Sequence, residues 1–146
     1  MAMKKLKHSG PFLVINGDTF FEVDLTEFLS FHARKKADLT VGLLEVPVNS
    51  RYGGVLLGKG GDITAFQLRT SDSDNKLVNG GIYLIEENTL SNTEEAVGCE
   101  LSLEDQLFPD LLRIGRRIFG FISKGRFIDI GIPDDYHRAT MMLHDG

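Results

Sequence analysis

Cysteine is nearly absent from this chain. Cys99 stands alone, so an internal disulfide is excluded and a reducing, cytoplasmic setting is expected. Basic charge is also scarce: 16 Lys and Arg face 21 Asp and Glu, and a net charge of −5 argues against the basic surface of a nucleic-acid binder. No apolar run approaches the ~18–20 residues needed to cross a bilayer, so no membrane partner is expected. The basic start, Met1-Ala2-Met3-Lys4-Lys5-Leu6-Lys7, has no apolar signal core behind it before Gly10-Pro11 and reads as an arm over residues 1–10. Internal repeats, low-complexity tracts and linkers are missing as well. What is present is ordinary: 42% hydrophobic and 25% charged residues in a 146-residue chain are enough for one cored domain, placed at 11–146.

The chain is organised around Phe12-Leu13-Val14-Ile15-Asn16-Gly17-Asp18. An uninterrupted apolar run suits a strand buried on both faces, as in an α/β sheet. Asp18 then falls just past its carboxyl end, where open α/β sheets bind ligands. Asn16-Gly17-Asp18 is equally a turn-forming triplet, and taken alone the turn is the simpler reading. A helix is expected from near Asp24, with Asp24 and Glu27 as a capping pattern and Leu25, Phe28, Leu29, His32 and Ala33 on one face. His32 on that apolar side reads as a packed core residue rather than a ligand. Leu39 to Val46 is a second apolar run, which makes a βαβ unit with its two strands parallel.

Tyr52 to Gly58 and Asp62 to Leu68 flank Lys59-Gly60-Gly61 as a hairpin. Ser71-Asp72-Ser73-Asp74-Asn75 lacks the pattern of a calcium loop and reads as a solvated connection. Lys76 to Ile85 is a strand interrupted by Asn79-Gly80-Gly81, as where something approaches the backbone closely. Ser102 opens a helix that Pro109 should kink. Arg116 to Ile122 and Phe127 to Ile130 are the last strands. A final helix has Pro133 near its start, Asp134-Asp135 in its first turn, and an inner stripe of Tyr136, Ala139, Met142 and Leu143.

Asp129 follows its strand as Asp18 follows its own. Two carboxylates at strand ends could share one hard divalent cation such as Mg²⁺, which is held by one or two carboxylates while keeping waters and taking phosphate oxygens. Asp129 could instead simply bond the turn at Gly131-Ile132-Pro133, and the residues alone do not decide between the two.

Leu13-Val14-Ile15-Asn16-Gly17-Asp18, Arg51-Tyr52-Gly53-Gly54-Val55, Asn79-Gly80-Gly81-Ile82-Tyr83, Ser102-Leu103-Glu104-Asp105 and the stretch Phe127-Ile128-Asp129-Ile130-Gly131-Ile132-Pro133-Asp134-Asp135-Tyr136 occur in that order. Together they resemble the sugar-1-phosphate nucleotidyltransferases, nearest the mannose- or heptose-1-phosphate guanylyltransferase branch, from about Pro11 to Leu143. The resemblance implies a Rossmann-like α/β fold with a mixed, mostly parallel sheet. It also implies a reaction that joins a sugar 1-phosphate to a nucleoside triphosphate and releases pyrophosphate. Asp18 and Asp129 match metal-binding aspartates for Mg²⁺. Tyr52 and Gly53 match a segment near the sugar phosphate, Asn79 and Gly80 a sugar-contacting turn, and Glu104 an acid for sugar hydroxyls. Glu104 could alternatively be plain charge compensation at a helix start.

Two departures accompany the match. Where the family carries a Glu-Lys pair, this chain reads Phe66-Gln67-Leu68-Arg69. Arg69 either replaces that cation, as a planar fork rather than a point charge, or is an ordinary surface arginine. The second departure is larger: the N-terminal nucleotide-binding strands and their glycine-rich phosphate loop have no counterpart. Gly58-Lys59-Gly60-Gly61 is a hairpin tip and Gly80-Gly81 lies in a strand, so neither leads into a helix N-terminus. Two rival readings follow: a non-catalytic remnant or subunit serving assembly or sugar-phosphate binding, and a nucleotide-sugar glycosyltransferase using Glu22-Val23-Asp24. The missing strands would also leave the flank of Phe12–Gly17 open, an apolar edge expected to be covered by a second copy, as a homodimer, or by a separate N-terminal-half partner.

Overall fold

A computed structural model describes residues 10–47, 53–67, 76–90, 102–131 and 135. Eight strands are present: β1 (Phe12–Ile15), β2 (Thr19–Phe21), β3 (Leu39–Glu45), β4 (Gly54–Leu57), β5 (Ile63–Gln67), β6 (Leu77–Ile85), β7 (Ile118–Ser123) and β8 (Phe127–Asp129). The main sheet runs β5-β4-β6-β3-β7, with β1 also on β6, and β2 with β8 forms a separate ladder.

The sheet is mixed, as expected, but its pairings are mainly antiparallel, which corrects the mostly parallel reading. β6 is the reason. It enters between β1 and β3 and runs against both, pairing Val14 and Val41 with Tyr83. The βαβ reading thus holds for direction, β1 and β3 running the same way, but they are not neighbours. Among the described residues the parallel pairing is β3 with β7.

Helix α1 (Leu25–Lys35) starts where the capping pattern placed it: the Asp24 carboxylate accepts from the backbone N–H groups of Thr26 and Glu27. Its inner face is narrower than the stripe predicted. Phe28 and His32 are buried, whereas Leu25 and Leu29 are 45% and 48% exposed. Phe28 packs on Phe121 of β7, with ring centroids 5.3 Å apart. His32 is indeed a satisfied core residue, with Nδ1 2.7 Å from Thr40 Oγ1 and Nε2 3.2 Å from Glu86 Oε1.

The opposite face of the sheet holds the larger core. Leu39, Val41, Leu43, Tyr83, Ile85 and Ile118 pack there against Val55 and Ile63 of the hairpin and against Leu107, Phe108 and Leu111. Those last three come from the segment opened by Ser102, whose hydroxyl accepts from the Asp105 N–H. The segment begins as a π-helical turn (Leu103–Leu107), with Leu107 N–H donating to Ser102 O, and becomes α2 (Phe108–Arg113). Pro109 therefore sits at the start of α2 rather than kinking a continuous helix, and there its missing N–H leaves no bond unmade.

β1 is the other correction. It pairs with β6 along one side only among the described residues, so Leu13 and Ile15 are 44% and 59% exposed instead of buried on both faces. Of the expected last helix, Asp135 is described, helical and buried. Pro133, Asp134, Tyr136, Ala139, Met142 and Leu143 lie outside the described residues, as does Ser71–Asn75.

Candidate active site

The site forms where β6 is irregular. Opposite Gly42, the β3–β6 register slips between Val41/Tyr83 and Leu43/Asn79, which leaves three residues of β6 facing one of β3. Gly81 in this bulge has φ +76°, a left-handed conformation suited to glycine. A side chain at Gly80 would run into the Phe21 ring of β2, so this glycine admits the β2–β8 ladder onto the sheet. Phe21 is clamped from behind by Phe127 of β8, ring centroids 5.8 Å apart and nearly perpendicular.

That ladder brings the two aspartates together. Thr19 pairs with Asp129, and Ile130 N–H donates to Asp18 O at 2.8 Å. Asp129 Oδ1 accepts from Gly131 N–H at 3.0 Å, so the turn-bonding role is real. It does not exclude the other: a Cβ placed on Gly131 would lie 3.1 Å from Asp129 Oδ1 and 3.4 Å from Asp18 Oδ2. Both carboxylates thus converge on one small space, and the Asp18 carboxylate accepts no hydrogen bond there among the described residues.

A second cluster gathers around the Tyr83 hydroxyl. Glu104 Oε1 accepts from the Tyr83 hydroxyl at 2.6 Å and from Asn16 Nδ2 at 3.4 Å. Asn79 Nδ2 donates to Tyr83 OH at 3.0 Å, while Asn79 Oδ1 accepts from Gly81 N–H at 2.9 Å. Asn16, two residues before Asp18, links this cluster to the carboxylate pair. Thr19 Oγ1, packed beside Gly81, is buried with no hydrogen-bond partner among the described residues. Gly53 is exposed and precedes Gly54, which pairs with Val78, so it sits at the level of Asn79. Tyr52 and Arg69 lie outside the described residues.

The structure thus brings Asp18 near Asp129 and joins Asn79 to Glu104 through the Tyr83 hydroxyl, whereas Gly80 packs on Phe21 instead. Sequence reasoning missed Tyr83 and Asn16 as members of the site. Tyr83 lies four residues after Asn79; a buried tyrosine needs a partner for its hydroxyl, but nothing in the sequence names Glu104 as that partner.

Burial pushes the Tyr83 phenol well above the ordinary tyrosine value of 10.0, and the adjacent Glu104 carboxylate raises it further. A raised phenol favours folding at pH values below its ordinary value and loses that contribution as pH climbs toward its folded value. Above about pH 10 the wild type should therefore lose up to about 1.4 kcal/mol per pH unit that Tyr83→Phe does not lose. Urea midpoints of the two chains, measured through that range, check the difference in slope.

The nucleotidyl transferase family matches this sequence over residues 1–146. The chain belongs to that family. It is 37% identical over 131 residues to D-glycero-alpha-D-manno-heptose 1-phosphate guanylyltransferase of Aneurinibacillus thermoaerophilus, covering 90% of this chain and 55% of that protein. It is 29% identical to mannose-1-phosphate guanylyltransferase of Mycobacterium tuberculosis, with 92% and 42% covered. Among solved structures, HddC from Yersinia pseudotuberculosis superposes with a TM-score of 0.79 at 27% identity, over 97% of this chain and 59% of that one. The chain spans about half the length of the curated relatives it matches. Among the described residues no helix is long and apolar enough to cross a membrane.

Proposed function

We propose that the chain supplies the metal and sugar side of a sugar-1-phosphate nucleotidyltransferase site, in which a sugar 1-phosphate and a nucleoside triphosphate give a nucleotide-sugar and pyrophosphate. The convergence of Asp18 and Asp129 beside Gly131 carries this reading. Two like-charged carboxylates in one space repel unless a cation lies between them. Among the described residues no cluster of three or more His, Cys, Asp or Glu is formed. Two hard oxygen donors with room for water and phosphate oxygens suit Mg²⁺ better than an all-protein cage. Bound there, the ion supplies charge neutralisation for phosphate oxygens.

The protein's own residues position the substrate. A phosphate oxygen of the sugar 1-phosphate attacks the α-phosphorus in line and pyrophosphate leaves, a transfer in which alignment and electrostatics carry most of the catalysis. Asp129 is aimed by the Gly131 N–H, Glu104 accepts from sugar hydroxyls, and Gly80 seats Phe21 and with it the β2–β8 ladder that carries Asp129. Tyr52 and Arg69 are assigned to the sugar phosphate from the sequence match alone. The rival reading is a subunit that serves assembly or sugar-phosphate binding without turnover.

Pyrophosphate release with a panel of sugar 1-phosphates and nucleoside triphosphates separates the two. Release that needs both substrates and Mg²⁺ is the expected result. Sugar-phosphate binding with no release would establish the binding subunit instead, and no binding at all would overturn both.

A further inference from the structure

We propose that Tyr83 and Asn79 are positioning residues that aim Glu104 at a ligand hydroxyl, so that Asn79 acts from behind the site rather than on the sugar. This rests on the sugar-side reading of Glu104 given above. Both ends of the Asn79 carboxamide are already engaged. Its oxygen takes the Gly81 N–H at 2.9 Å, which obliges its nitrogen to face Tyr83 OH at 3.0 Å. The Tyr83 oxygen, having accepted that bond, has one proton to give, and it goes to Glu104 Oε1 at 2.6 Å. The direction of the chain is therefore fixed: Asn79 donates to Tyr83, and Tyr83 donates to Glu104. Hydrogen bonds aligned in series polarise one another in a low-dielectric interior.

The ring that carries this hydroxyl cannot swing. Tyr83 is fully buried, and its ring stands edge-on to Phe108 with centroids 5.0 Å apart. Glu104, in contrast, is exposed and projects from the π-helical turn. Without the phenol, a long side chain at an exposed position samples several rotamers, and ordering it on ligand binding weakens the affinity. With the phenol in place, Oε1 is held by Tyr83 and Asn16, while Oε2 accepts no hydrogen bond among the described residues. Oε2 is the oxygen presented to a ligand donor. The ligand class that matches is a polyol with a hydroxyl donor near a phosphate, as in a hexose 1-phosphate.

Calorimetric binding of mannose 1-phosphate, glucose 1-phosphate and inorganic phosphate, at fixed Mg²⁺, tests the assignment in wild type, Tyr83→Phe, Glu104→Ala and the double variant. Tyr83→Phe keeps the ring and its packing, and far-ultraviolet circular dichroism verifies that each variant is folded. The expected result is about three- to tenfold weaker sugar 1-phosphate binding in Tyr83→Phe, the scale of ordering one long side chain, with inorganic phosphate unchanged. In the Glu104→Ala background Tyr83→Phe should cost nothing more, because its effect passes through that carboxylate. Additive losses, or equal losses for inorganic phosphate, would mean that Tyr83 is merely structural and would overturn the proposal. So would unaltered binding in Tyr83→Phe when Glu104→Ala is weakened, and that result would leave the proposed function intact. Wild-type chain that binds neither sugar phosphate would overturn the proposed function itself, and the positioning role with it.

Discussion

Asp18→Asn is expected to reduce Mg²⁺-dependent pyrophosphate release by at least about 10²–10³-fold, the usual consequence of removing one preorganised electrostatic group from a transfer site. The substitution keeps shape and hydrogen-bonding capacity but removes one of the two charges beside Gly131. Asp129→Asn should do the same. The double variant should lose little beyond either single one, since a cation that needs two carboxylates is already lost with the first. Stability should move the opposite way. In the metal-free protein the two carboxylates repel, so Asp18→Asn should be at least as stable as wild type. Adding Mg²⁺ should raise the wild-type melting temperature and leave the variant's unmoved, because only a ligand that binds the folded state stabilises it. Scanning calorimetry with and without Mg²⁺ reads this independently of turnover. An equal rise in both proteins would show that the ion binds elsewhere.

Gly81→Ala should produce a large loss of stability from a single added methyl group. Its φ of +76° places the residue in the left-handed region, which costs an L-residue about 1–2 kcal/mol. The new Cβ would also stand 2.6 Å from Thr19 Oγ1, 3.0 Å from Asn16 Nδ2 and 3.1 Å from Asn16 Cβ. None of these can retreat easily: Asn16 N–H is bonded to Gly81 O at 2.8 Å, and Thr19 is fixed in the ladder with Asp129. Overpacking of that kind adds about 1–3 kcal/mol, a large share of a domain's ~5–15 kcal/mol. Gly115→Ala is the internal control. Gly115, where α2 ends, has φ +81° but nothing within 4 Å of its absent Cβ, so it reports the backbone strain without the clash. Urea denaturation should rank Gly81→Ala well below Gly115→Ala. Equal losses would mean that the packing around Asn16 and Thr19 yields more readily than these distances imply.

Local rules in the sequence carried much of the fold. The Asp24 cap, the hairpin around Lys59-Gly60-Gly61, and the strands ending at Asp18 and Asp129 each follow from a few adjacent residues, and each is present. What adjacent residues do not encode is which strand lies beside which. The β1–α1–β3 unit has the expected direction, yet β6 separates its strands, and no periodicity in Leu77–Ile85 announces that. The same limit applies to the site. Gly80-Gly81 signalled a close approach without naming Phe21, Thr19 or Asn16 as what approaches. Tyr83 was hidden because its partner, Glu104, lies 21 residues away on another element. Pro109 misled for a local reason: a π turn ahead of it supplies a new helix start, which the apolar spacing of Leu103, Leu107, Phe108, Leu111 and Leu112 does not reveal.

The ladder that brings the two aspartates together has three residue pairs, Thr19 to Phe21 against Phe127 to Asp129, extended by one backbone bond at each end, Ile130 to Asp18 and Glu22 to Arg126. Joining segments so distant in sequence closes a very long loop, which makes this one of the later contacts to form as the chain collapses. So short a ladder is also among the first to fray, and amide exchange at Phe20 and Ile130, whose pairs carry its hydrogen bonds, should outpace that of the β3–β6 pairs. Capacity to hold a cation would then be switched on and off by a local opening that leaves the hydrophobic layers untouched.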